Sequence, residues 1–85
     1  MVKDGDYVAI FNSIHRVMQA EKRLKERQVT ILLIPAPRSL KADCGLALRY
    51  TSDDRSAVEG ALAEEGLLPE EIYVKNGEQF KKCGE

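Results

Sequence analysis

Only two cysteines, Cys44 and Cys83, occur in this chain of 85 residues, far apart and outside any Cys-x-x-Cys pair. That excludes a disulfide framework and a thiolate metal knuckle, and it predicts free thiols. An excess of one charge is also missing. Lys and Arg number 13 against 14 Asp and Glu, for a net charge of -1, which gives no electrostatic footprint for nucleic acid or an anionic membrane. No apolar run approaches the roughly 20 residues of a membrane span, and the polar start from Met1 to Asp6 lacks the apolar core of a signal peptide. The expectation is a cytoplasmic protein with no membrane contact. There is no internal repeat and no low-complexity segment, and the length suits one domain. That domain is expected over residues 1–77, followed by a polar tail, 78–85, that carries Cys83.

What is present reads as alternating elements. Asp6 to Phe11 is apolar and β-rich, of strand length. Asn12 or Ser13 caps a helix whose apolar positions are Ile14, Val17, Met18 and Leu24, with His15, Gln19, Lys22 and Glu26 on its polar face. Lys22, Arg23, Lys25 and Arg27 suit its C-terminus. Val29 to Ile34 is a strand apolar on both faces, stopped by Pro35. Leu46 to Tyr50 is the third strand. Thr51 or Ser52 opens a second helix with Asp53 and Asp54 in its first turn and Ala57, Val58, Ala61 and Leu62 on its inner stripe; Gly66 ends it. Ile72 to Val74 makes a last short strand, and the polar tail begins at Asn76-Gly77.

The order βαββαβ predicts an α+β fold, a ferredoxin-like sandwich of a four-stranded antiparallel sheet with two helices on one face. In that topology the first and third strands are antiparallel neighbours. The end of the first and the start of the third then share one end of the sheet, so Cys44 meets Asn12 and Ser13. The first helix begins there too, offering unpaired amides and a positive dipole end that favour a thiolate or another anion. His15, Arg16 and Arg38 converge on the same place, and Gly45 leaves little bulk beside the thiol. Arg38 and Lys41 favour a thiolate, whereas Asp43 opposes it. The plain alternative for Cys44 is a small buried residue opening a strand.

Three segments carry a resemblance. Phe11-Asn12-Ser13-Ile14-His15 with Ala20-Glu21, Leu32 through Arg38, and Asp43 through Arg49 together resemble the selenium/sulfur carrier-like family, over roughly residues 6 to 75. The resemblance implies a small stand-alone domain in which the cysteine of a Cys-Gly motif holds sulfur or selenium. Cys44 matches that cysteine, and Ser13, His15, Pro35, Pro37 and Arg38 match other motif positions. It implies a carrier or accessory protein of sulfur or selenium transfer rather than a stand-alone enzyme, working with a donor or acceptor protein. No metal or organic cofactor is required.

On this reading Cys44 is the carrier thiol, with His15 and Arg38 as its assisting groups and Asn12, Ser13, Arg16 and Gly45 as the binding surround. The alternative function is a non-catalytic interaction module, a homodimer or partner complex formed through the open sheet face, where Tyr7, Ala9, Phe11, Ala47 and Tyr73 are expected together. RNA binding on that face is disfavoured, because Leu46 and Leu48 stand where stacking aromatics belong. Cys83 reads as a mobile tail thiol.

Overall fold

The structure, a computed structural model, describes residues 2–40 and 45–83. The elements are β1 (Tyr7–Ile10), α1 (Ile14–Glu26), β2 (Leu32–Pro35), β3 (Leu46–Tyr50), a 3-10 turn (Ser52–Asp54) running into α2 (Arg55–Glu64), β4 (Glu71–Asn76) and β5 (Gln79–Lys82). All strands join one antiparallel sheet in the order β2-β3-β1-β4-β5.

The expected sheet of four strands is therefore corrected to five. Asn76 pairs with Gln79 across the two-residue loop Gly77-Glu78, and Gly77 takes φ 67, the left-handed region that a tight hairpin asks of its first loop residue. Phe80 then packs on the sheet face away from the helices. Residues 79–82, taken as tail from their polarity, form an edge strand; the Lys side chains of such a strand discourage further pairing.

The helices bury Val17, Ala20 and Leu24 from α1 and Val58, Ala61 and Leu62 from α2 against Ala9, Phe11, Leu48 and Tyr50. Two positions expected on the inner stripe of α1 lie outside it: Ile14 is 47% exposed and Met18 44% exposed. Burial of Val17, Ala20 and Leu24 over the sheet fixes the face of this helix, with Arg23 and Arg27 on the side that reaches Glu64 and Glu65 at the end of α2 and Ile14 and Met18 off the buried stripe. On α2, Ala57 is likewise exposed.

The expected open-face patch does not form as one surface. Tyr7 pairs with Tyr50 and Ala9 with Leu48; cross-strand partners point to the same side, so Tyr7, Ala9 and Phe11 join the helix-covered core. Phe11 is 1% exposed. Ala47 and Tyr73 lie on the other face with Val8, Ile10 and Ile34. That face is also roofed. Val2, Leu40 and Phe80 pack onto it, making a second small core. A dimer formed around Phe11 and Tyr73 has no common surface to use.

β2 is shorter than expected because it pairs with β3 only from Leu32 to Pro35. Val29 and Ile31 pack against the helix-side core instead, and a cleft of about 280 Å³ opens between Thr30-Ile31-Leu32 and Tyr50-Thr51.

Candidate functional site

Register brings separate segments to one end of the sheet. Ile10 pairs with Ala47 and Pro35 with Leu46, so the C-terminal ends of β1 and β2 meet the start of β3. α1 begins there. Ser13 is its N-cap, extended at φ -153 and ψ 153, and its Oγ accepts from the Arg16 N–H at 3.2 Å. The first turn of α1 itself holds no acidic residue, so its own side chains do not offset the positive end of the helix dipole.

The strand connection is closed at its base. The Ala36 N–H donates to the Gly45 carbonyl at 2.9 Å, and the Leu40 N–H donates to the Pro37 carbonyl at 3.0 Å, folding 37–40 into a turn. Leu40 is driven into the second core, at 8% exposure. Gly45 takes φ 75, where a side chain would strain the backbone. The chain is thus fixed at Leu40 and again at Gly45. Cys44, with Lys41, Ala42 and Asp43, lies outside the described residues.

Of the other expected site residues, Asn12, Ser13, His15, Arg16, Arg38 and Gly45 all belong to this end of the sheet or the loop that leaves it. Among the described residues their side chains do not form a connected network. His15 and Arg38 are exposed, and neither makes a hydrogen bond or ion pair among the described residues. Arg16 is used elsewhere: its guanidinium donates to the Gly66 carbonyl at 3.4 Å, a cation placed against the C-terminal end of α2.

A second cluster was not foreseen from sequence. Tyr7 and Tyr50 stack with ring centroids 5.7 Å apart, and Arg55 lies over the Tyr7 ring, 4.6 Å from its centroid. Arg55 donates to Glu59 at 3.1 Å and to the Tyr7 hydroxyl at 3.1 Å, while the Tyr50 hydroxyl donates to Glu59 at 3.0 Å. Burial, and then the Glu59 carboxylate beside it, pushes the Tyr50 phenol far above its ordinary value, so it stays a neutral donor. Cys83 borders this cluster in a cleft of about 340 Å³, lined also by Arg55, Glu59, Glu71 and Ile72.

Cys83 is a free thiol, as expected, but it follows a paired strand, β5, rather than lying on a tail. Its N–H donates to the Ile72 carbonyl at 2.8 Å, and partial burial raises its thiol pKa even though Arg55 and Lys81 pull it down. From β5 to β3 is three strand spacings, about 14 Å at roughly 4.8 Å each, so Cys83 lies well away from Gly45 across the sheet. The hairpin signal Asn76-Gly77 was the one clue to this placement.

No group of three or more His, Cys, Asp or Glu with the geometry to hold a metal ion occurs among the described residues. No described helix is long and apolar enough to cross a membrane.

Residues 6–74 match the model of the family described as putative Se/S carrier protein-like, and the chain belongs to that family. No curated protein and no solved structure matches it.

Proposed function

We propose that this member of the Se/S carrier-like family holds one sulfur or selenium atom on Cys44, as a persulfide or perselenide, and passes it to a partner protein. The observation that carries the reading is the convergence at one end of the sheet. The Ser13-capped start of α1, free of acidic residues, shares that end with Gly45, which the Ala36 hydrogen bond fixes beside the carrier thiol in sequence. His15 and Arg38, exposed and without a partner among the described residues, can meet an incoming anionic sulfur species. We take the βαββαβ part to be a ferredoxin-like sandwich extended by the β4–β5 hairpin, and the protein to work in a reducing cytoplasm.

The transfer balances without a cofactor. The Cys44 thiolate attacks the outer sulfur of a donor persulfide, R–S–SH; the donor S–S bond breaks, a new S–S bond forms on Cys44, and the electron pair leaves on the donor thiolate. No net oxidation occurs. The positive end of α1 stabilises first the attacking thiolate and then the terminal anion of the product.

The test is intact-mass analysis after incubation with a persulfide-loaded cysteine desulfurase. A gain of one chalcogen atom, removed by reductant, lost in Cys44→Ser and kept in Cys83→Ser, is the expected result. Loading that never occurs, or that follows Cys83, ends the proposal.

A further inference from the structure

The β4–β5 hairpin carries a chemistry that the carrier reading leaves unused. Its turn opens on Asn76-Gly77, and glycine puts no side chain in the way of its own nitrogen as that nitrogen approaches the asparagine carboxamide. The two can close a ring. The Gly77 nitrogen bonds to Cγ of Asn76, its proton passes through water to the side-chain nitrogen, and that nitrogen leaves as ammonia. Water then opens the succinimide at either carbonyl. Residue 76 becomes aspartate, or isoaspartate with the backbone routed through the former side chain. One water is consumed and one ammonia released, with no oxidant, reductant or cofactor.

The reacting groups are held unequally. Asn76 is exposed, and its carboxamide has no hydrogen-bond partner among the described residues. The Gly77 peptide is fixed on both sides: its N–H donates to the Asp4 carboxylate at 2.9 Å, and its carbonyl accepts from the Lys75 ammonium. Asp4 is placed there by backbone. The Gly5 N–H donates to the Lys75 carbonyl and the Lys75 N–H to the Asp6 carbonyl, both at 2.9 Å, which lays the start of the chain along the end of β4. Asn76 itself is paired with Gln79 and kept extended, whereas ring closure needs the next nitrogen to turn onto Cγ. That nitrogen cannot turn while its N–H is bonded to Asp4.

We propose that Asn76-Gly77 is a self-modification site whose rate is set by the hydrogen bond from Gly77 to Asp4, and that conversion to isoaspartate releases β5. Isoaspartate lengthens the backbone by one methylene at the last pair before a two-residue loop, so the pairs from Asn76–Gln79 to Tyr73–Lys82 lose their register. Phe80 then leaves the second core, and the Cys83 N–H loses the Ile72 carbonyl. None of these groups belongs to the carrier site.

The test follows deamidation by mass and isoaspartate content in the Cys44→Ser protein at neutral pH, beside a free peptide of residues 73–80. The folded protein is expected to convert at least about tenfold more slowly than the peptide, because the hairpin must open first. Asp4→Ala is expected to raise the folded rate about three- to tenfold, the effect of one lost hydrogen bond, whereas Asp4→Asn, which keeps an acceptor oxygen, stays near the parent. Asp4 is exposed, so both variants fold. Protein carrying isoaspartate should expose Cys83 to alkylation; Asn76→Asp, with its backbone unchanged, should not. Conversion of the folded protein as fast as the peptide, or an Asp4→Ala rate equal to the parent's, overturns the restraint. A slower Asp4→Ala rate also overturns it, since Asp4 would then act as a base. Isoaspartate protein whose Cys83 reacts no faster than before overturns the release of β5.

Discussion

The Asp6 carboxylate accepts from the Arg49 guanidinium at 2.8 Å and from the Lys3 N–H at 3.0 Å, joining the start of β1 to β3 on the face that the helices leave uncovered. Asp6 is the sole buried charged residue among those described. Burial by itself pushes its carboxyl up, but the Lys3 amide and Arg49 outweigh that and hold it below the usual carboxylate range.

The sign of the pH dependence follows. A depressed folded-state pKa gives stability that is present above the unfolded value of about 3.9 and is lost as pH falls through the folded value. Urea denaturation from pH 6 down to pH 2 is expected to show this loss beginning near pH 4, with a shallower fall in Asp6→Asn. At pH 7 Arg49→Ala is expected to cost about 2 kcal/mol, less than a fully buried pair because Arg49 is partly exposed. An Asp6→Asn curve parallel to the parent would remove Asp6 from the account.

The fifth strand predicts that residues 78–83 contribute to the fold. Phe80→Ala removes part of the roof over Tyr73 and is expected to lower unfolding stability by about 1–2 kcal/mol, at the low end for an aromatic because Phe80 is only half-buried. Truncation after Gly77 should cost more. A truncated chain as stable as the parent in urea would return this segment to a tail.

Tyr50→Phe isolates the hydroxyl from the ring. Glu59 keeps Arg55 as a donor, so the carboxylate is not orphaned, and the expected loss is about 1 kcal/mol. A loss above about 3 kcal/mol would mean that the hydroxyl does more than donate to Glu59. Thermal unfolding of the single variant and of its combination with Glu59→Gln separates the hydrogen bond from the ring packing.

The raised thiol pKa of Cys83 predicts sluggish chemistry. In Cys44→Ser, alkylation of Cys83 at pH 7 is expected to be slower than that of an unstructured thiol, and to rise only as pH passes its ordinary value. Urea should remove the difference. Fast labelling of folded Cys44→Ser at pH 7 would contradict the placement of Cys83 in its cleft.

Leu40→Ala is expected to destabilise by about 2 kcal/mol, the loss of a nearly buried leucine from a small core. Urea titration measures it. A neutral result would show that the turn from Pro37 to Leu40 does not depend on the second core.

The elements themselves were legible in the chain. Asn12 and Ser13 marked the start of α1 as alternative caps, of which Ser13 proves to be the one used; the apolar run from Leu46 to Tyr50 gave β3 its limits, and the alternation of strands and helices gave the order in which β1, β3 and β4 follow one another. These are local properties, set by backbone preference and by the period of apolar residues within a few turns. Family membership was legible too, in short segments around Ser13, Pro35-Ala36-Pro37-Arg38 and the Cys-Gly pair. Which side of β1 meets the helices was decided only by register. Val8 and Ile10 are as apolar as Ala9 and Phe11, so periodicity alone leaves the choice open, and pairing of Ala9 with Leu48 makes it. Ile14 and Met18 likewise fit an inner stripe by spacing, but the stripe that packs on the sheet is Val17, Ala20 and Leu24. Polarity of residues 79–82 suggested a tail because an edge strand buries only one residue in two, and its backbone partner, β4, is a tertiary fact. The roof over the second face, built from Val2, Leu40 and Phe80, joins residues from both ends and the middle of the chain, and only folding brings such distant segments into one contact.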